Sequence, residues 1–191
     1  MKYSDEQLAW QFLSGDEKAF EKLVERYLKP LYNFIFQLVR DKETTNDITQ
    51  DVFVKIWKNM SSYDSQKKFS TWIFAIAKNT AFDFLKKKKT IPFADFENES
   101  GENFLEFIED ESVPYSNELL QIIDEKKDVA DFLGSLSPQM KIILLLHHSY
   151  GFSLAEISEI MGHSRNTIKS KYRRAIIFFR EQISSKKAVQ M

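Results

Sequence analysis

The chain has 191 residues, 43% of them hydrophobic, with 27 Lys+Arg against 28 Asp+Glu for a net charge of −1. That length allows one ordinary domain or two small ones, and 5 Gly and 4 Pro are too few for the turns of a sandwich or barrel, which points to helices. With no Cys, a disulfide, a Cys-ligated zinc and a Cys nucleophile are excluded.

The opening MKYSDEQLAW has no apolar run flanked by basic residues, so no signal peptide is expected. From Glu6 to Arg40, apolar residues such as Leu8, Phe12, Phe20, Leu23, Tyr27, Leu31 and Phe34 recur at helical spacing. A Gly and a capping signal within Ser14 to Phe20 divide this stretch into two predicted helices. A third helix is predicted from about Thr44 to Met60, then a polar loop, Ser61 to Lys68, then a fourth helix from about Phe69 to Lys88. Residues 90–117 lose periodicity, are punctuated by Pro92, Gly101 and Pro114, and read as a flexible linker. Phe93, Phe96, Phe104 and Phe107 within it suggest that it docks somewhere.

A further helix is expected from near Glu118 to Leu133. Ser137 and Pro138 read as N-cap and first residue of the next, which Gly151 ends. Ser153 to Glu156 is a capping box opening a short helix to Met161, with Gly162 as its C′ residue, and Ser164 caps a last helix to about Ser184. The longest aliphatic run, Ile142 to Leu146, falls far below the ~20 residues of a membrane span, so no membrane insertion is expected. The expectation is a soluble, cytoplasmic, all-α protein. It has two small helical domains, a bundle over residues 1–89 and a helix-turn-helix domain over 118–191, joined by a flexible acidic linker over 90–117.

Charge follows the same division. Residues 1–89 are net +4, residues 90–117 carry 8 acids and no base, and residues 118–191 are net +3, with +7 concentrated in 162–191. Two basic modules joined by an acidic strap point to nucleic-acid contact by the ends; a soluble protein with an acidic loop is the plainer alternative.

Three stretches carry candidate sites. In the last helix Ile168, Tyr172, Ala175, Ile176, Phe179 and Ile183 fall on one face, while Asn166, Ser170, Arg173 and Arg174 fall on the other with Lys169 beside them. After a short capped helix and a glycine turn, this suits a recognition helix in a major groove, with Arg165, Asn166, Lys169 and Ser170 including the base readers and Arg173 and Arg174 as phosphate clamps. An ordinary amphipathic surface helix has the same wheel. The third helix has one stripe of Ile48, Val52, Ile56 and Met60 and, nearly opposite, Gln50, Phe53, Val54 and Trp57, with Asp47 and Asp51 at the rim; it is either internal or has a second partner. The fourth interleaves aromatics with Lys78, Asn79 and Lys86 to Lys89, as single-strand binders do, although Phe69, Trp72 and Ile76 are expected to be mainly core.

Together these stretches resemble the extracytoplasmic-function sigma factors, the compact two-domain branch of the sigma-70-like bacterial initiation factors. DITQDVFVKIW (Asp47 to Trp57) is similar to their core-binding helix. FSTWIFAIAKNTAFDFLKKKK (Phe69 to Lys89) resembles their melting and minus-ten helix. SLSPQMKIILLLHHSYGFSLAEISEIMGHSRNTIKSKYRRA (Ser135 to Ala175) resembles their minus-thirty-five domain, departing from it at His147-His148 and Arg165. The resemblance implies a non-enzymatic initiation factor without cofactor or metal, whose partners are core RNA polymerase, promoter DNA and an anti-sigma factor. It implies polymerase contact by Asp47, Gln50, Asp51, Phe53, Val54 and Trp57. It implies minus-ten contact by Phe69, Trp72, Lys78, Asn79, Lys86 and Lys87, with a base flipped out near the Ser61–Lys68 loop. It implies minus-thirty-five contact by Arg165, Asn166, Thr167, Lys169, Ser170, Arg173 and Arg174.

Two other classes compete. A stand-alone repressor would explain residues 118–191 but leave the two-sided helices of the first module unassigned. An enzyme using His147-His148 as metal ligands is disfavoured, because adjacent helical residues point about 100° apart.

Overall fold

A computed structural model of the chain describes residues 3–87 and 136–189. The acidic linker and the helix expected near Glu118 lie outside the described residues. Among the described residues there are seven α-helices and no strand: α1 (Asp5–Leu13), α2 (Glu17–Val39), α3 (Lys42–Asn59), α4 (Phe69–Lys87), α5 (Pro138–Leu144), α6 (Leu154–Met161) and α7 (Arg165–Val189). The all-α expectation holds. The chain divides into two compact units, Met1–Pro92 with Ser158–Gly162 and Phe93–Ile157 with His163–Met191.

In the first unit each helix starts where a side chain satisfies a free N–H of the first turn. Ser4 and Gln7 form a reciprocal capping box on α1, Gln7 N–H donating to Ser4 Oγ (3.2 Å) and Ser4 N–H to Gln7 Oε1 (2.8 Å). The predicted break falls where Gly15 takes φ 101° and Asp16 caps α2. α2 ends at Arg40, whose φ of 60° is left-handed, and the chain turns directly into α3. That helix starts two residues earlier than its apolar pattern, because Asp41 accepts from the Thr44 N–H at 2.8 Å. Leu23, Leu31, Phe34 and Ile35 of α2 pack on Ile48, Val52 and Ile56 of α3 and on Phe69 and Ile73 of α4; all are 2% exposed or less. Burial on this scale stabilises by about 1.5–3 kcal/mol for each such side chain.

In the second unit Ser137 caps α5 with Pro138 at its start, accepting from the Met140 N–H at 3.4 Å. The helix does not run evenly to Gly151. It widens into a π-turn over Leu145–Ser149, which keeps Leu144, Leu145 and Leu146 all buried, and Gly151 then reverses the chain at φ 72°. The Ser153/Glu156 box on α6 is closed in both directions, at 2.8 and 3.3 Å. Gly162 takes φ 72° and donates to Ser158 O at 3.0 Å, a left-handed helix end that glycine adopts without Cβ strain. Ser164 caps α7 through the Thr167 N–H at 3.1 Å. α7 runs to Val189 rather than Ser184, since nothing in Ser-Lys-Lys-Ala breaks a helix.

Candidate functional site

α3 is two-sided and not internal. Ile48, Val52 and Ile56 face the core, while Asp47, Gln50, Asp51, Val54 and Trp57 face outward and Phe53 is half-buried. Val54 and Trp57 remain 49% and 43% exposed, a large apolar area for one helix side. Trp57 does not swing freely. Its ring meets Phe12 of α1 at 4.6 Å and Phe20 of α2 at 4.8 Å, both edge-on. A wide amphipathic ring held against two others is rigid, and its outer part is left to solvent. On the same helix Lys55 Nζ donates to Thr80 Oγ1 of α4 at 3.1 Å, tying the two helices together.

At the start of α4 an aromatic corner forms. Tyr63, from the polar loop, sits 5.2 Å from Phe69 and 5.4 Å from Trp72, and Phe69 and Trp72 are 5.6 Å apart. Phe69 is 1% exposed and is the inner wall; Trp72 and Tyr63 are half-buried and face the loop. Burial, then the charges of Glu6, Asp64 and Asp5, push the Tyr63 hydroxyl up to about 12, so it stays protonated and donates to Lys67 O, closing the loop on itself. Lys67 and Lys68 are exposed beside it. Tyr63 is a member of this corner that the sequence reading did not single out; its signal was one aromatic in an otherwise polar loop. Farther along, Asn79, Lys86 and Lys87 are exposed. Lys78 is buried, its ammonium 5.9 Å from the Phe82 ring, and burial lowers its pKa against the pull of Asp83.

α7 separates as its wheel predicts. Ile168, Tyr172, Ala175, Ile176 and Phe179 are buried, while Arg165, Asn166 and Lys169 are exposed and Thr167, Ser170, Arg173 and Arg174 half-buried. The side chain of Ile183 lies outside the described residues. Lys171 is buried, which the wheel did not indicate. Thr167 serves the cap, its hydroxyl 2.9 Å from Ser164 Oγ. Arg165 stands at the positive end of the helix dipole in a first turn without an acid, an arrangement that disfavours the free helix and suits an anion arriving from outside.

The two histidines are used within their unit. His147 Nδ1 lies 2.8 Å from Phe152 O and His148 Nε2 lies 3.2 Å from the Tyr172 hydroxyl. Among the described residues no group of three or more His, Asp or Glu could hold a metal, and no helix is long and apolar enough to cross a membrane.

Comparison with known proteins finds two family models, one in each half of the chain. The family model described as Sigma-70 region 2 matches residues 23–91, and that described as Sigma-70, region 4 matches residues 126–177. The chain is 30% identical to the ECF RNA polymerase sigma-E factor of Haemophilus influenzae, covering 96% of this chain and 95% of that one. It is 28% identical to the ECF RNA polymerase sigma factor SigW of Bacillus subtilis, covering 91% and 93%. Among solved structures it resembles the sigma factor RpoE of Bartonella quintana in complex with the anti-sigma factor NepR. The TM-score is 0.63 at 23% identity, over 87% of this chain and 98% of that one.

Proposed function

Because the chain belongs to the ECF RNA polymerase sigma factors and so directs transcription initiation to promoters, we propose that its two units read two promoter elements in two physical states. The second unit holds the minus-thirty-five element as duplex, and the first captures the minus-ten element as a melted strand. The domain limits that go with this are 1–89, 90–117 and 118–191.

The observation that carries the reading is the pairing of a capped helix-turn-helix with an aromatic corner in one chain. α7 enters a major groove with Arg165, Asn166, Lys169 and Ser170 toward base edges, and Arg173 and Arg174 toward phosphates. Thr167 secures the cap that sets the angle of entry. A duplex offers no exposed base face to Tyr63 and Trp72, but a single strand does, and stacking is worth about 1–3 kcal/mol per base. One base flips from the stack into the Ser61–Lys68 loop, its unstacking cost of a few kcal/mol offset there. Phe69 supports the corner from beneath, Asn79 meets the strand beside it, and Lys86 and Lys87 line the path of the backbone, whereas Lys78, expected from the sequence to join them, is buried against Phe82 and does not reach it.

α3 supplies the contact to core polymerase. Val54 and Trp57 form the apolar centre of that contact, with Asp47, Gln50, Asp51 and Phe53 around it. The factor acts in the cytoplasm, without catalysis, cofactor or metal of its own. An anti-sigma factor is a further partner, as in the Bartonella quintana complex.

Transcription by purified core polymerase, with and without the chain, on fragments of the host genome tests this. Promoter-specific transcripts should appear only with the chain present, and the chain alone should bind duplex poorly. Tight duplex binding by the chain alone, with no transcripts, would instead identify a repressor.

A further inference from the structure

We propose that Glu6 is a positioning residue for base capture: from α1 it holds the start of α4, and with it the loop that ends there, in the geometry a flipped base needs. This rests on the reading that the Tyr63–Trp72 corner takes that base.

α4 begins at Phe69, and the Trp72 N–H donates back to Lys68 O at 3.3 Å, which puts Lys68 at the N-cap position. A lysine side chain has no oxygen to accept from the free N–H groups of a first turn. Glu6 supplies one from a different helix. The Phe69 N–H donates to Glu6 Oε1 at 3.3 Å, across 63 positions of sequence, and the carboxylate faces the positive end of the α4 dipole. Glu6 is itself held. It lies in the first turn of α1 behind the Ser4/Gln7 box, and its neighbour Asp5 accepts from the Arg26 guanidinium and the Tyr27 hydroxyl of α2. α1 is therefore pinned to α2 by one acid and reaches α4 by the next. What it reaches is the residue whose ring is the inner wall of the corner, 5.2 Å from Tyr63 and 5.6 Å from Trp72. The matched region 2 begins at residue 23, so this role for α1 comes from the contact and not from the family match.

The experiment uses holoenzyme made from core polymerase and the full chain. Open-complex formation is measured on pre-melted promoters carrying either the intact base or an abasic site at the flipped minus-ten position. The wild type should favour the intact base. Glu6→Ala should lower that preference about tenfold, the order of loss that removing one N-cap acceptor produces. Binding to core polymerase and the salt dependence of duplex contact should not change. Glu6→Gln keeps an acceptor at the same reach and should stay near wild type. Glu6→Asp keeps the charge but falls one methylene short, so it should lose the preference as Ala does; it also decides the matter if the Ala variant fails to fold. Unchanged preference in Ala and Asp, or a Gln variant as impaired as Ala, overturns the proposal. Indifference of the wild-type holoenzyme to the abasic site at every minus-ten position overturns the corner itself, and this proposal with it.

Discussion

Trp57 combines two properties at the scale of one residue, a ring braced on Phe12 and Phe20 and an outer part left 43% exposed. Truncating such an anchor costs an interface on the order of 2 kcal/mol, roughly thirtyfold in affinity; it also removes the two ring contacts, about 0.5–1.5 kcal/mol each, but leaves the inner stripe of Ile48, Val52 and Ile56 in place. Trp57→Ala, and Asp51→Lys at the rim, should weaken capture of core polymerase while far-ultraviolet circular dichroism stays unchanged. An unfolded Asp51→Lys would mean that α3 serves the core alone. On α7 the residues divide by kind. Asn166→Ala should cost about 1–3 kcal/mol and relax preference at one minus-thirty-five position. Arg174→Ala should weaken all sequences alike and lower the salt slope by about one unit. Promoter use across minus-thirty-five variants and salt concentrations separates the two, and the opposite pattern would reverse the assignment. His148 reports on stability. Burial, and then the His147 charge, push its pKa down to about 4, so the folded state binds fewer protons than the unfolded one between about 6.5 and 4. Its contribution is complete above pH 6.5 and is lost as pH falls toward 4. The loss is on the order of 1 kcal/mol once solvent screening of a half-buried ring is allowed for. Thermal unfolding followed from pH 7 to pH 4.5 should show this slope, and His148→Phe should flatten it.

The helices are set by their ends. α3 starts at Asp41, directly after the left-handed Arg40, and the Asp41 carboxylate opens the helix that carries the proposed polymerase face. Removing a cap of this kind costs about 1 kcal/mol. Asp41→Ala should lower the unfolding midpoint of the chain by a few degrees, and it should weaken polymerase capture less than Trp57→Ala does. A larger loss of capture than Trp57→Ala would mean that the cap residue touches the partner directly.

For the molecule as a whole, the charge pattern is the guide. Residues 90–117 carry 8 acids and no base between two units of net positive sequence. We propose that this acidic strap takes the place of RNA charge along a positively lined path in polymerase, at distances where screening is incomplete. Neutralising Asp95, Glu97, Glu99, Glu102 and Glu106 together should alter the ratio of abortive to full-length transcripts and leave duplex binding unchanged. A constant ratio would reduce the strap to a tether.

Capping and periodicity are local, and they were legible in the sequence. Ser137, Ser153 and Ser164 start α5, α6 and α7 as their side chains require, and Gly15 and Gly162 stand at helix ends with positive φ. The inner faces of α3 and α7 followed from spacing, because a helix turns each residue by a constant angle. Contacts between residues distant in sequence were not legible. Spacing grouped Phe69 with Trp72 and Ile76, but only packing against the neighbouring helices made Phe69 an inner wall and left Trp72 facing the loop. Tyr63 joined them because its loop folds back over the start of α4, and the carboxylate of Glu6 met the Phe69 N–H because α1 lies against that same end. Lys171 stands among the polar residues of α7 and is nonetheless buried. Sequence determined which residues share a face; tertiary structure decided which of them reach solvent, since exposure depends on what packs against the face and no single segment encodes that.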